Sequence, residues 1–340
     1  MDRRALRIQW LFCRRQHLRD GRQCLQQHTK LRTGVMMYEL RLSDKQYWGI
    51  ESAKDAQEWA DEFAGLLGLD LMQGFPDRTI HLEWLPTTTG SEKECLYVPP
   101  YGYPGEEWKV RMLRSLEHWR HPAVPDVIFR LRQMTDPRRV KEQMRHVLFP
   151  VYESTVCSGG LPLHAALVEH DGGGVLLVGR SGVGKSTACR RLPHRWSVLC
   201  DDMALAVRTT GGGFRVHPLP TWSVVRAGEK EQTWDIKRSV SLRAIFFLTQ
   251  AVEDEVIPAG GAMASVILTD AAMTVFYSLQ AGPGLLEKSP LFSNLFANAA
   301  TMAQVVPSYI LRLSLTGCFW EKIEEVLGQE KGDRLLFSTK

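Results

Sequence analysis

The segment Gly179–Ser186, GRSGVGKS, has residue types and a spacing suited to holding phosphate groups. Its glycines allow positive φ angles, so successive main-chain N–H groups can point at an anion. The amine of Lys185 would reach the β- and γ-phosphates of a nucleotide, and the hydroxyl of Ser186 would bind Mg²⁺. The predicted ATP-binding residues are Gly179, Arg180, Ser181, Gly182, Val183, Gly184, Lys185, Ser186 and Thr187.

The elements on either side of this segment are those that a P-loop requires. Residues 174–178, GVLLV, predict a buried strand entering the loop, and residues 186–192 predict a short helix leaving it. Strand, loop and helix together favour a P-loop over a chance glycine turn. The chain has neither the Asn-Lys-x-Asp sequence of guanine-binding proteins nor the Leu-Ser-Gly-Gly-Gln sequence of transporter ATPases.

Two acidic residues follow the next predicted strand. The strand Trp196–Cys200 ends at Asp201 and Asp202. In a parallel sheet the carboxyl ends of neighbouring strands share one edge, so we expect these carboxylates to face the same phosphates as Lys185. One would bind Mg²⁺, for which we favour Asp202, and Asp201 would take the proton of an attacking hydroxyl, although residue types alone permit the reverse assignment. A surface turn is the alternative reading of the pair.

Other polar residues carry weaker signals. His164 opens the predicted strand Leu163–Val168, and by composition a single histidine there is more often structural or exposed. Lys237 or Arg238 would be candidates for a later positive charge near the γ-phosphate, but a solvated linker explains both more simply.

Taken together, these residues resemble a known family. Leu163–Glu169, the loop through Thr187 and the Val-Leu-Cys-Asp-Asp segment ending at Asp202 resemble the catalytic domain of HPr kinase/phosphorylase and its serine-kinase relatives, over about residues 160–328. Residues 37–134 resemble the ScmC group of SynChlorMet cassette proteins, which is tied to peptide maturation. The later arginine- and asparagine-bearing segment of true HPr kinases is missing, which argues against HPr as the substrate.

The resemblance implies an α/β fold, with an HPr-kinase-like P-loop domain and a smaller α+β N-terminal domain. It implies catalytic roles for Asp201, Asp202, His164 and Lys185, and binding of Mg²⁺ by Ser186 and Asp202. The expected reaction is ATP-dependent phosphoryl transfer to a hydroxyl, preferably a serine, of a peptide or small protein. The alternatives are a nucleotide-gated peptide-binding module without kinase activity and a slow ATPase.

The pattern along the chain suggests four regions. Residues 1–36 form a basic tail, whose first 35 residues hold nine Lys or Arg against two Asp. It reads as a disordered tail or a leader outside the true start, in preference to a nucleic-acid arm. Residues 37–134 predict an α+β domain, including a helix near 106–120; residues 135–157 predict a helical bridge, and residues 158–330 predict the P-loop domain.

Composition restricts the class of protein. The seven cysteines are scattered without a Cys-x-x-Cys pair, which indicates free thiols and a reducing, cytoplasmic location. No apolar run approaches the roughly 18 to 20 residues that a membrane span requires. We therefore expect a peptide or small-protein partner, no nucleic acid and no membrane, and leave open whether the chain forms a homo-oligomer.

Overall fold

A computed structural model describes residues 36–85, 108–113, 116–122, 124–227, 234–279 and 290–337, so the basic tail lies outside it except for residue 36. The chain divides into two compact units. Of the described residues, the N-terminal unit holds those up to Leu40, those of Tyr47–Ala64 and those within Asp70–Gln133. The C-terminal unit holds Arg41–Gln46, Gly65–Leu69 and the described residues from Met134 onward. The predicted bridge therefore clusters with the C-terminal unit.

Within the described residues, the first part of the chain forms a short 3₁₀ helix (Lys54–Ala56), one α-helix and seven strands. These elements are β1 (Met37–Arg41), β2 (Tyr47–Ser52), α1 (Gln57–Leu67), β3 (Asp70–Leu71), β4 (Arg78–Trp84), β5 (Lys109–Leu113), β6 (Leu116–His121) and β7 (Val124–Leu131). The strands form one sheet in the order β3-β1-β2-β4-β7-β6-β5. Strands β2, β4 and β7 are parallel neighbours. Helix α1 buries Trp59 and Phe63, as its apolar spacing predicts.

The prediction of a helix near residues 106–120 is wrong. Residues 109–113 and 116–121 instead form the antiparallel strands β5 and β6, and β6 pairs onward with β7. Trp119 and Leu116 are fully buried on β6, while Trp108 is only half-buried. Over so short a stretch the apolar residues fit both the period of a helix and that of a strand, and pairing with neighbouring strands decides between the two.

The C-terminal unit alternates strands and helices around a nine-stranded sheet. Its strands are β8 (Leu161–Leu163), β9 (Ala165–His170), β10 (Gly173–Val178), β11 (Ser197–Cys200), β12 (Ala204–Arg208), β13 (Phe214–Pro218), β14 (Val240–Gln250), β15 (Glu255–Pro258) and β16 (Ser308–Leu313). Its helices are α2 (Pro137–Val147), α3 (Phe149–Cys157), α4 (Lys185–Arg191), α5 (Trp222–Ala227), α6 (Gly261–Leu279), α7 (Pro290–Val305) and α8 (Phe319–Phe337).

Strand β14 is the long central strand of this sheet. It runs parallel to β10 on one side and parallel to β16 on the other, and its first residues pair with β13. Buried side chains from β9, β10 and β14, such as Val168, Leu177 and Phe246, pack with Phe319 and Ile323 of α8 in one core. This mixed α/β architecture agrees with the predicted α/β class, and the rigid strands of this core position the polar residues at its edge.

Helix α6 is long and apolar, which the sequence reading above does not anticipate. Among the described helices it alone has the length and composition of a membrane span, with a hydropathy of 1.5 over its best window. Of that window, 56% is buried inside the protein, and a core helix meets the same criterion. The finding is therefore weak evidence for a membrane span.

A buried charged cluster crosses the three parallel strands of the N-terminal unit. His81 on β4 lies with its Nδ1 2.5 Å from Glu51 Oε1 and its Nε2 3.9 Å from Asp126 Oδ2. Asp126 also accepts a hydrogen bond from the Thr79 amide at 2.7 Å. Burial alone would lower the pKa of His81, but the carboxylates of Asp126 and Glu51 outweigh it and raise the pKa from 6.5 to about 9.

We expect the N-terminal unit to lose stability in alkaline solution, because His81 loses its proton there. A raised pKa contributes stability that is fully present below pH 6.5 and is lost as the pH rises through about 9. His81→Gln should lower the free energy of local unfolding by roughly 2–3 kcal/mol at pH 6.5, because two buried carboxylates lose their cation. Hydrogen exchange of the amides of β4 at pH 6.5 and 9.5, after correction for the intrinsic rate, measures both effects. An unchanged pH dependence in His81→Gln would contradict the assignment.

Candidate functional site

Three strand ends meet at one edge of the C-terminal sheet. Strand β9 pairs antiparallel with β10 on one side and with β11 on the other. Val178, the last residue of β10, pairs with Ala165, and Cys200, the last residue of β11, pairs with Leu167. The start of β9 therefore lies between the ends of β10 and β11. This corrects the expectation that β10 and β11 are direct parallel neighbours, although both do end at the same edge.

An interruption between two strands places His164 at this edge. The predicted single strand Leu163–Val168 is two strands: β8 pairs with β12, whereas β9 pairs with β10 and β11. His164 lies between them and donates its amide to the carbonyl of Ala271 on α6, at 3.2 Å. The histidine is thus held at the point where the chain changes pairing partner, with its side chain at the edge that carries Lys185.

The loop between β10 and α4, residues 179–184, is called the glycine loop below. Gly182 and Gly184 have φ angles of 82° and 110°, which a residue with a side chain rarely adopts. Gly179 does not have a positive φ, contrary to expectation. It is required for space, because a Cβ there would lie 2.8 Å from Val183 Cγ1. Gly182 and Gly184 therefore provide the positive φ angles of this tight turn, and Gly179 provides the space that it needs.

Lys185 begins helix α4 and turns its side chain back into the glycine loop. Its Nζ donates to the carbonyl oxygens of Gly179 at 2.7 Å and Arg180 at 3.3 Å, and lies 2.9 Å from His164 Nε2. Burial lowers the pKa of Lys185, and the charges of Asp202 and Asp201 counter this only in part. The amine is held by three acceptors at the mouth of the loop.

His164 joins Lys185 to Asp202. Its Nδ1 lies 3.2 Å from Asp202 Oδ1. An ammonium group only donates, so His164 Nε2 accepts from Lys185, and the remaining ring proton on Nδ1 is donated to Asp202. Burial raises the pKa of Asp202, but the hydrogen bond from His164 and the nearby charges of Arg145 and Lys185 outweigh it, and the pKa is lowered overall. Asp202 is therefore a weak base held in its ionised form.

Asp201 has a different environment. The Thr221 hydroxyl, just before α5, donates to Asp201 Oδ1 at 2.7 Å. The thiol of Cys200 donates to the carbonyl of Met203 at 2.9 Å, which closes the turn that carries both aspartates. The two adjacent carboxylates are thus fixed by separate partners, Asp202 by His164 and Asp201 by Thr221.

These groups surround one cavity of about 510 Å³, which belongs wholly to the C-terminal unit. Nine of the site residues that the sequence predicted line this cavity: His164, Ser181, Gly182, Gly184, Lys185, Ser186, Thr187, Asp201 and Asp202. Three predicted loop residues do not line it. Gly179 and Arg180 contribute carbonyls to Lys185 instead, and Val183 packs against the hydrophobic core.

Six residues that line the cavity were not found from the sequence. They are Arg145 of α2, Ser223 of α5, and Thr274, Val275 and Ser278 of α6, together with Met203 of the turn after β11. No motif marks these positions, because they come from separate helices. Lys237 and Arg238 are not among the lining residues. Arg238 pairs with Glu169, and the Lys237 amide is bonded to Asp235.

A comparison with protein families matches residues 127–328 to the family described as SynChlorMet cassette protein ScmC. The match covers more than half of the chain, and the chain belongs to this family. The matched range contains the whole cavity, whereas the sequence resemblance to this group was drawn on residues 37–134, most of which lie outside the match. No curated protein matches the chain.

We expect His164 to control the proton affinity of Asp202. His164→Ala removes the hydrogen bond that lowers the pKa of Asp202, so that pKa should rise. Any associated loss of stability should be present near pH 7 and should disappear as the pH falls through the wild-type pKa of Asp202. Titration of the aspartate carboxyl carbons by NMR measures the shift directly. The exposed His194, changed to Ala, is the matched control and should leave Asp202 unchanged. An unshifted Asp202 in His164→Ala would refute the link.

Proposed function

We propose that this member of the ScmC family binds Mg²⁺-ATP in its glycine loop, which acts as a P-loop, and transfers the γ-phosphoryl group to a hydroxyl of a peptide or small protein. The observation that carries the proposal is the single cavity shared by Lys185 and two carboxylates at one sheet edge. Phosphoryl transfer needs a cation for the phosphates and a base for the acceptor, held a short distance apart.

The glycine loop supports the donor side of the reaction. The positive φ angles of Gly182 and Gly184 are those of a loop that turns main-chain N–H groups inward. Lys185 is already inside the loop, held at the carbonyl of Gly179 and at His164. A nucleotide would compete with these neutral acceptors for the ammonium group, and its charged phosphates would be the stronger partners.

The two aspartates would have different roles in the reaction. Asp202 has a lowered pKa and already accepts a hydrogen bond from His164, so it is poorly suited to take up a proton. Asp201 is held by the neutral hydroxyl of Thr221 and lies in the same cavity. This favours Asp201 as the base that receives the proton of the acceptor hydroxyl, and Asp202 as the residue near the metal.

The donor set also fits Mg²⁺. This ion prefers oxygen ligands and is commonly held by one or two carboxylates, phosphate oxygens and water. Ser186 and Asp202 line the cavity together and would supply a hydroxyl and a carboxylate. No group of three or more His, Cys, Asp or Glu placed to hold a metal was found among the described residues. A bound Mg²⁺ would offset charge on the phosphates.

The acceptor and the reaction class rest on the sequence resemblance to HPr-kinase-like serine kinases, with a serine as the preferred acceptor. A nucleotide-gated peptide-binding module is the second candidate. The feature that favours it is the seven-stranded sheet of the N-terminal unit, none of whose described residues lines the cavity. A slow ATPase, with water as acceptor, is the third.

Incubation with γ-labelled Mg²⁺-ATP and serine-containing peptides separates these functions. Label on the peptide supports the kinase, free phosphate supports the ATPase, and bound but intact ATP supports the binding module. Asp201→Asn should lower transfer by roughly 100-fold or more while ATP affinity is retained, because only the base is lost. Lys185→Ala should weaken ATP binding by about tenfold or more.

The exposed Glu253→Gln variant is the control for loss of a carboxylate elsewhere in the same unit and should behave as wild type. Normal transfer by Asp201→Asn would show that Asp201 is not the base. Wild-type protein that binds no ATP at all would remove the proposed function altogether.

A further inference from the structure

Arg145 is the one arginine among the described residues that line the cavity, and neither the motif nor the proposed function uses it. It lies in the last turn of α2, a helix that begins at Pro137 after the capping residue Asp136. Its neighbours Met144 and Val147 are fully buried, so the helix is anchored on both sides of Arg145. Arg145 itself is half-buried and lies in the wall formed by the helices.

The guanidinium is held by helix α6. Arg145 Nη2 donates to Ser278 Oγ, and that hydroxyl donates in turn to the carbonyl of Val275 at 2.6 Å. Ser278 and Val275 are themselves lining residues of the cavity. The arginine therefore comes to the site on one helix and is fixed in place by another, so its position depends on the packing of both.

Arg145 lines the same cavity as Lys185 and the two aspartates. Its positive charge acts on the carboxylate of Asp202, which is linked through His164 to Lys185. Arg145 thus shares the cavity with the residues that would face the terminal phosphates.

We propose that Arg145 contacts the γ-phosphoryl group of ATP during transfer and stabilises its developing charge. This inference rests on the proposed function. In the step concerned, a bond forms between the acceptor oxygen and the γ-phosphorus while the bond from that phosphorus to the β,γ-bridging oxygen breaks. The hydroxyl proton passes to Asp201, and the electron pair of the broken bond leaves on ADP.

Arginine suits this task because its guanidinium stays charged and presents two parallel N–H donors to phosphate oxygens. Lys185 enters from the glycine loop, whereas Arg145 enters from the wall formed by α2 and α6. The transferring group would lie between two cations, an arrangement that stabilises charge where it grows during the reaction. Arg145 would also fill the role for which the sequence suggested Lys237 or Arg238, neither of which lines the cavity.

Aluminium fluoride tests the contact without a known acceptor, because Mg²⁺-ADP with aluminium fluoride imitates the transferring phosphoryl group. We expect aluminium fluoride to tighten ADP binding to the wild-type protein. In Arg145→Ala this tightening should fall by at least tenfold, while the affinity for Mg²⁺-ADP alone changes by less than about threefold. Arg145→Lys keeps the charge without the paired donors and should retain part of the effect. Calorimetric titration with and without fluoride measures each value.

Arg238→Ala removes an arginine of the same unit that lies outside the cavity and should leave the fluoride effect intact. If Arg145→Ala unfolds, which loss of Mg²⁺-ADP binding and of its thermal transition would reveal, Arg145→Lys and Ser278→Ala carry the test. Full tightening in those two variants would overturn the proposal, as it would in a folded Arg145→Ala. Wild-type protein that does not bind Mg²⁺-ADP would overturn the proposed function itself, so the two failures are distinguishable.

Discussion

The hydrogen-bonded chain from Lys185 through His164 to Asp202 is the interaction around which the candidate site is organised. It joins a residue after β10, a residue before β9 and a residue after β11, so it exists only because these strands end at one edge. Its charges offset one another, because the carboxylate reduces the cost of burying the ammonium group. A change at any of the three positions therefore alters the other two.

The direction of β9 explains why a histidine can take part at all. Because β9 is antiparallel to both neighbours, its first residues lie where the neighbours end, and His164 is placed between the glycine loop and the acidic turn. A parallel strand would have presented its last residues there instead. The break between β8 and β9 allows this, since the residue between two strands is not committed to either ladder and its side chain can turn toward the cavity.

The two walls of the cavity have different physical characters. The strand side carries Lys185 and two carboxylates next to the ends of strands β10 and β11, and rigid elements of this kind suit groups that must keep a fixed geometry. The helix side carries hydroxyl groups and Arg145, and depends on how α2, α5 and α6 pack. Lys185 and Arg145 bring positive charge to this cavity from separate elements, and the two carboxylates line the same cavity.

The sequence by itself determined the local parts of this protein. Its period and turn residues predicted β10, α4, the glycine loop and the strand ending at Asp201, because strand, tight turn and helix are set by neighbouring residues. It misassigned β5 and β6 as a helix, since apolar spacing over such short stretches fits both structures and distant pairing decides. Only the tertiary structure decided that β9 separates β10 from β11, that His164 bridges Lys185 and Asp202, and that Arg145 lines the same cavity. Those relations join residues far apart in the chain, and no local pattern encodes which faces of separate elements will meet.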